Sequence, residues 1–277
     1  MPMPEGVELI LAPNPSIMTG PGTNTYLVRD PASQQTGAVV VDPGPLIAEH
    51  LDHIMAAANA AGGLRAILIT HGHADHVEGA ATLRARTEAP IYAWSRDGSP
   101  DADRTLADNA IVTVGGRALR AIYTPGHRFD HLSFLLEDAG ALFAGDLVAG
   151  VGTVVINPPE GDLFDYMASL RRLLALDLKQ ILPAHDPAIE QPRELLEYYL
   201  AHRDEREQQV LAALSSGLAT IPVMVARIYA DVDPALHPVA ARSVLAHLLK
   251  LEREGRVVRQ PETAVGEDAT WRIAGQP

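Results

Sequence analysis

The chain has 277 residues, 47% of them hydrophobic, with 22 basic against 35 acidic side chains and a formal charge of −13. That length suits one large domain with a smaller appendage, and the acidic balance argues against a broad basic face for duplex DNA. The lack of cysteine excludes disulfides, thiolate ligands and a cysteine nucleophile, so any metal must be held by His, Asp or Glu.

The N-terminus, Met1-Pro2-Met3-Pro4-Glu5, carries neither a basic segment nor a long apolar core, so it does not read as a secretory signal. No apolar run approaches the roughly 20 residues that span a bilayer. The expectation is a cytoplasmic protein without membrane association. Short apolar runs separated by turn signals then predict strands at 26–28, 38–41, 66–69, 91–93, 111–114, 121–123, 132–136, 141–143 and 180–182. Helical periodicity places Ile47, Leu51, Ile54, Met55 and Ala58 on one face, and Phe164, Met167, Leu170 and Leu174 on another. Many strands with a few intercalated helices suggest two sheets covered by helices.

The texture changes after about residue 190. Pro192 can open a long helix through Val210 and Leu214, ended by Ser215-Ser216-Gly217. Helical patterns follow at 223–229 and 238–254, then apolar pairs at Val257-Val258 and Thr270 to Ile273. Helices followed by a two-stranded hairpin read as a winged-helix-like module. Its Arg242, Lys250, Arg253, Arg256 and Arg259 are offset by Glu252, Glu254, Glu262, Glu267 and Asp268, so a structural or interaction role is expected rather than DNA binding.

The richest stretch is Thr70-His71-Gly72-His73-Ala74-Asp75-His76, directly after the apolar run Ala66 to Ile69. A strand that empties into a polar loop is where an α/β protein places its chemistry, and imidazole and carboxylate are ligands for divalent metals. His71 and His73 are one residue apart, so an extended loop turns both to one side. Asp75 and His76 fall at a helix start. His127 follows Tyr123-Thr124-Pro125-Gly126, Asp146 follows Leu142 to Gly145, and His185 follows Ile181 to Ala184. Each ends an apolar strand through Gly, Pro or Ala. Five imidazoles and two carboxylates are enough for two metals with positions left open for water.

These residues, in this order and spacing, resemble the metallo-β-lactamase superfamily, with Val39-Val40-Val41-Asp42-Pro43-Gly44 similar to its first acidic motif. Thr19 to Val28, Asp165 to Leu170 and His202 to Gln209 resemble the β-lactamase-like protein 2 subfamily. The resemblance implies an αββα sandwich over residues 1–200 and a winged-helix-like domain over 201–277. It implies one metal on His71, His73 and His127, a second on Asp75, His76 and His185, and Asp146 bridging them. Asp42 would instead accept a hydrogen bond from a ligand's other ring nitrogen.

The activity implied is that of a dinuclear hydrolase using a metal-bridging hydroxide, with Asp75 orienting the water. The two divalent ions are expected to be Zn2+, with Mn2+ or Fe2+ as alternatives. The expected partner is a small acyl substrate: an ester, thioester, lactone or, weakly, a β-lactam. Single-stranded RNA is the alternative, because animal members of the subfamily are regarded as endoribonucleases. A non-catalytic protein with a structural metal is disfavoured, since structural zinc sites are closed and often use Cys. Redox chemistry with iron is a third possibility, and it would need a separate flavin protein.

The family usually has Gly on both sides of the last ligand, where this chain has Ala184 and Asp186. A requirement for positive φ at either position would shift the His185 loop. Arg128 follows the Pro-Gly-His motif and is read as pairing with Asp130 or meeting an anionic substrate. Asn24 is a candidate substrate donor, His131 a candidate support for a ligand, and His50, His53, His202, His237 and His247 are read as surface residues.

Overall fold

The computed structural model describes residues 2–33, 35–217, 219–261 and 269–275; Glu262, Glu267 and Asp268 lie outside them. One sheet holds β1 (Val7–Leu11), β2 (Asn24–Arg29), β3 (Ala38–Val41), β4 (Leu64–Leu68), β5 (Ile91–Ala93) and β6 (Arg104–Thr105), in that spatial order. Its first three strands pair antiparallel and the rest parallel. A second sheet runs β11-β10-β9-β8-β7, from β7 (Ile111–Val114), β8 (Arg117–Tyr123), β9 (Leu132–Leu136), β10 (Ala141–Gly145) and β11 (Gln180–Pro183). Only β10 and β11 pair parallel there.

The strand period of two sorts the core into layers. Val39, Val41, Ala66 and Leu68 pack with Leu119, Ala121, Phe134 and Phe143 between the sheets. The alternate residues Val40, Ile67 and Ile69 face Leu51, Ile54 and Ala58 of α1 (Ala48–Ala60) and Ala80 and Leu83 of α3 (Ala80–Thr87). β3 and β4 are therefore apolar on both faces, as parallel strands buried between layers must be. The short helix α2 (Ala74–Val77) stands between β4 and α3.

β1, β6 and α3 have no counterpart among the expected elements. β1 is an edge strand whose Leu9 and Leu11 remain exposed, so its sequence shows no clean alternation. β6 has only two residues. α3 buries only Ala80 and Leu83, so its apolar stripe is weak.

The chain groups into two compact units, the first built from 1–125, 130–154 and 172–195 and carrying both large sheets. The second is built chiefly from 155–171 and 196–277. Helix α4 (Leu163–Leu174) and helix α5 (Pro192–Ser215) precede α6 (Ile221–Ile228), α7 (His237–Arg253) and the hairpin of β12 (Val257–Gln260) and β13 (Thr270–Ile273). Helix α6 starts two residues before the expected 223, with Pro222 in its first turn. Val210, Leu214, Met224, Val244, Leu248, Leu251 and Trp271 form the core of this unit. The Lys250 ammonium and Arg256 guanidinium both pair with the buried Glu207 carboxylate, Arg253 pairs with Asp162 and Asp165, and Arg259 pairs with Glu252.

Two residues expected at the surface are buried. His50 packs under the β3–α1 turn, with Nε2 3.0 Å from Thr25 Oγ1. His247 lies in the second unit with neither ring nitrogen hydrogen-bonded. Both sit on apolar faces of their helices, where the helical period outweighed residue polarity. His53 is exposed, and His202 and His237 are half-buried.

Candidate metal centre

Four strand ends set the centre. Asp42 follows β3, Thr70 and His71 follow β4, Asp146 follows β10, and His185 comes two residues after β11. α/β folds present polar loops at such carboxyl ends. α2 begins immediately after His73 and puts Asp75 and His76 in its single turn, as the helix start expected there requires.

All seven candidate ligands fall into two groups, His71, His73, His127 and Asp146 in one and Asp75, His76 and His185 in the other. Within each group one ligand atom per residue lies within 4.8 Å of all the others. The Asp146 carboxylate faces both: Oδ2 is 3.8 Å from His71 Nε2, while Oδ1 is 3.5 Å from His76 Nε2 and 3.3 Å from His185 Nε2. Asp75 Oδ2 is 3.5 Å from His76 Nε2 and 3.4 Å from His185 Nε2. Two ligands about 2.1 Å from a tetrahedral ion stand about 3.4 Å apart, so this spacing fits a divalent metal.

The outer ring nitrogens of His71, His76, His127 and His185 meet protein groups. His76 Nδ1 donates to Asp42 Oδ2 at 2.8 Å, His185 Nδ1 lies 3.3 Å from Gly22 O, and His127 Nδ1 lies 3.2 Å from Val155 O. Thr70 Oγ1 donates to Asp42 Oδ2 at 2.7 Å and accepts from His71 Nδ1 at 3.0 Å. A proton fixed on Nδ1 leaves Nε2 as a lone-pair donor. His76 Nε2 is buried without a hydrogen-bond partner, an expensive condition that a bound cation relieves. Asp42 thus has the supporting part expected of it, and it backs His71 through Thr70 as well.

The electrostatics agree with a site built for cations. Burial drives the His76 imidazole down, but the carboxylates of Asp146 and Asp42 outweigh it and hold His76 well above the ordinary histidine range. His185, opposed by burial in the same way, is pushed up to about 9 by Asp146 and Asp75. Asp146 stays well below the usual carboxylate range despite its burial, because His76, His185 and His71 surround it, and Asp75 is drawn down to about 2.

The departures around His185 are accommodated. Asp186 itself adopts φ +70°, a left-handed conformation that Asp tolerates better than most residues. His185 Nε2 still falls within 3.4 Å of both carboxylates. Asn24 holds this loop: its Nδ2 donates to Pro183 O and Asp186 O, both at 2.9 Å. The buried Asn24 side chain is therefore a brace and not the substrate donor expected of it. Arg128 lies 3.6 Å from Glu160.

His131 is fully buried, with Nε2 3.2 Å from the Asp146 amide, consistent with the support expected of it. Sequence reading missed Thr23, whose Oγ1 donates to Asp75 Oδ2 at 3.0 Å while accepting from Asn14 Nδ2. It missed Thr70 for the same reason: a threonine hydroxyl carries no ligand signature, and only contact distinguishes it.

The family model for the metallo-β-lactamase superfamily matches residues 18–185, and that for the β-lactamase-associated winged helix domain matches 220–271. A β-lactamase-like protein 2 homolog of Drosophila melanogaster is 35% identical over 269 residues, covering 90% of this chain and 88% of its own. A β-lactamase domain protein from Burkholderia ambifaria superposes with TM-score 0.80 at 22% identity, over 99% of this chain and 93% of that one. A structure of TTHA1623 in a di-iron-bound form superposes with TM-score 0.53 at 27% identity, over 65% of this chain and 96% of that one. With two sheets, a His/Asp centre suited to two metal ions and a C-terminal winged helix, this chain belongs to the metallo-β-lactamase superfamily.

Proposed function

We propose that this protein is a dinuclear metal-dependent hydrolase of a small acyl substrate, an ester, thioester, lactone or, weakly, a β-lactam. The observation that carries the reading is one carboxylate, Asp146, facing two groups of His and Asp, with His76 Nε2 buried without a hydrogen-bond partner and the outer nitrogens of His71, His76, His127 and His185 engaged. His71, His73 and His127 would hold one ion, Asp75, His76 and His185 the other, and Asp146 both. Zn2+ is the proposed metal, with Mn2+ or Fe2+ as alternatives, iron being supported by the di-iron relative. When bound, the two ions supply a water nucleophile at neutral pH and polarise the substrate oxygen.

The chain's own residues then do the rest. Asp75, with the more exposed side chain of the two carboxylates, is held by Thr23 and orients the attacking water. Asp42 and Thr70 keep the ring protons of His76 and His71 on the outer nitrogens. The hydrolytic residues belong to 1–200 and the winged-helix-like domain to 201–277, in a protein working in the cytoplasm. No helix among the described residues is long and apolar enough to cross a membrane.

Cleavage of single-stranded RNA is the second reading, taken from the subfamily resemblance of Thr19 to Val28, Asp165 to Leu170 and His202 to Gln209. The net charge of −13 weighs against it. Metal analysis of the purified protein beside a panel of p-nitrophenyl esters, nitrocefin, bis-p-nitrophenyl phosphate and single-stranded RNA tests both. Near two metals per chain with ester turnover that ignores salt is expected. Turnover of RNA that falls steeply with salt selects the second reading. Full metal and full activity in both His71→Ala and Asp146→Ala would end the hydrolase proposal.

A further inference from the structure

Three successive residues at the start of β9 touch the peptides of the ligand loops without belonging to either ligand group. Leu132 N donates to Thr70 O at 2.7 Å, and Gly72 N donates to Asp130 Oδ2 at 2.9 Å. These two bonds straddle His71. Between them, His131 Nε2 accepts from the Asp146 amide at 3.2 Å, and its carbonyl accepts from Thr124 N at 3.1 Å. Because Nε2 accepts, the ring proton sits on Nδ1 and donates to Thr124 Oγ1 at 2.9 Å. The His131 ring stacks on the His71 ring, with centroids 5.1 Å apart and planes 29° apart. By position His131 looks like a further imidazole of the centre, yet both of its nitrogens are engaged elsewhere.

The surrounding backbone is shaped to admit these side chains. A Cβ at Gly98 would overlap the Asp130 carboxylate. A Cβ at Gly145, the residue before Asp146, would lie 2.6 Å from His131 Nε2, and Gly145 has φ +53°. Glycine is needed at both positions for the close approach. Gly72 sits between two candidate ligands and contributes no side chain to hold its own loop, so the loop must be held from outside.

We propose that Asp130 and His131 are positioning residues of the metal centre: neither binds metal, and together they fix the peptides that carry His71, His73 and Asp146. This rests on the metal-centre reading above. Toward Gly72, the role of Asp130 is to supply one correctly placed acceptor oxygen, which an amide of the same length also offers and a longer carboxylate does not. The role of His131 is to hold the Asp146 amide and thereby aim the carboxylate that faces both groups.

The test compares Asp130→Asn, Asp130→Glu, Asp130→Ala and His131→Leu in the full chain. Cobalt affinity is read by competition with a chromophoric chelator, together with the visible spectrum of the cobalt form and the melting curve of the metal-free protein. Asp130→Ala and Asp130→Glu are expected to weaken cobalt about 10- to 100-fold and alter its spectrum. Asp130→Asn, which keeps the acceptor, stays within about threefold of wild type on the same scale. His131→Leu alters the spectrum of both cobalt ions, because the carboxylate it aims faces both groups. Wild-type affinity and spectrum in Asp130→Glu, or equal loss in Asp130→Asn and Asp130→Ala, overturns the proposal. Should Asp130→Ala not fold, the Asn and Glu pair decides alone. A wild-type chain that binds no cobalt refutes the underlying reading, whereas bound cobalt without hydrolysis refutes only the acyl-substrate reading.

Discussion

Asp42→Asn asks the most of the structure for the smallest change of shape. The Asp42 carboxylate accepts three hydrogen bonds: Thr70 N at 2.8 Å on Oδ1, and Thr70 Oγ1 at 2.7 Å and His76 Nδ1 at 2.8 Å on Oδ2. An amide offers only one acceptor oxygen. If that oxygen meets the Thr70 amide, the new NH2 faces His76 Nδ1. His76 must then carry its proton on Nε2, the atom that faces Asp75 and Asp146. If the amide is flipped, the buried Thr70 N–H loses its partner. Losing a hydrogen bond to a charged group costs about 1.5–3 kcal/mol, which is roughly a 10- to 100-fold loss of metal affinity. The weakened ion would be the one proposed to sit on His76; His71, reached through Thr70, would be affected less. Zinc titration against a chromophoric chelator reads both constants, and the melting temperature of the metal-free variant reports on its fold. A folded Asp42→Asn chain with both constants within threefold of wild type would refute the tautomer argument.

The strain at Asp186 predicts that Asp186→Val loses about 1–2 kcal/mol, since a branched Cβ fits poorly at φ +70°, while Asp186→Gly stays within about 1 kcal/mol of wild type; urea denaturation checks both. Leu51→Ala, which empties a buried position between α1 and the first sheet, should cost about 2–5 kcal/mol with no change in metal content. Burial holds the His50 imidazole down to about 4 and the His247 imidazole well below its ordinary value, so both are neutral in the fold. Unfolded imidazole titrates near about 6.5, so below that pH the unfolded chain takes up protons that the native chain refuses. Stability therefore falls as the pH drops below about 6.5, the His50 contribution levels off near pH 4, and His247 alone approaches about 1.4 kcal/mol per pH unit. Below about pH 6.5, where the native His76 and His185 already hold their protons, urea midpoints down to about pH 5 should show the decline, and an undiminished slope in His247→Leu would contradict the assignment.

The ligand constellation was legible because metal chemistry admits few side chains. With no cysteine, every donor had to be His, Asp or Glu, and the candidate segments at His71, His127, Asp146 and His185 each follow an apolar run of strand length. The strong elements, β3, β4, β9 and α1, were readable for a related reason: both faces, or a full stripe, are apolar. β1 and α3 were not, because an edge strand and a thin helix bury too little to impose a pattern on their residues. His50 and His247 misled because polarity was taken as a sign of exposure, whereas the helical face decides.

What the sequence by itself determined is the chemistry: which side chains can hold metal, in which order the strands deliver them, and that a helical module follows. What the tertiary structure decided is the second layer. Thr23, Thr70 and Asp130 are ordinary turn and strand residues until the chain brings them within 3.0 Å of a ligand or a ligand peptide, and Asn24 and His131, already candidates, find their partners only there. A hydrogen bond is set by distance and angle, and the partners of Asn24 lie 159 and 162 residues away along the chain. Ligand identity is a property of residue type, and support is a property of place; only the folded chain has places.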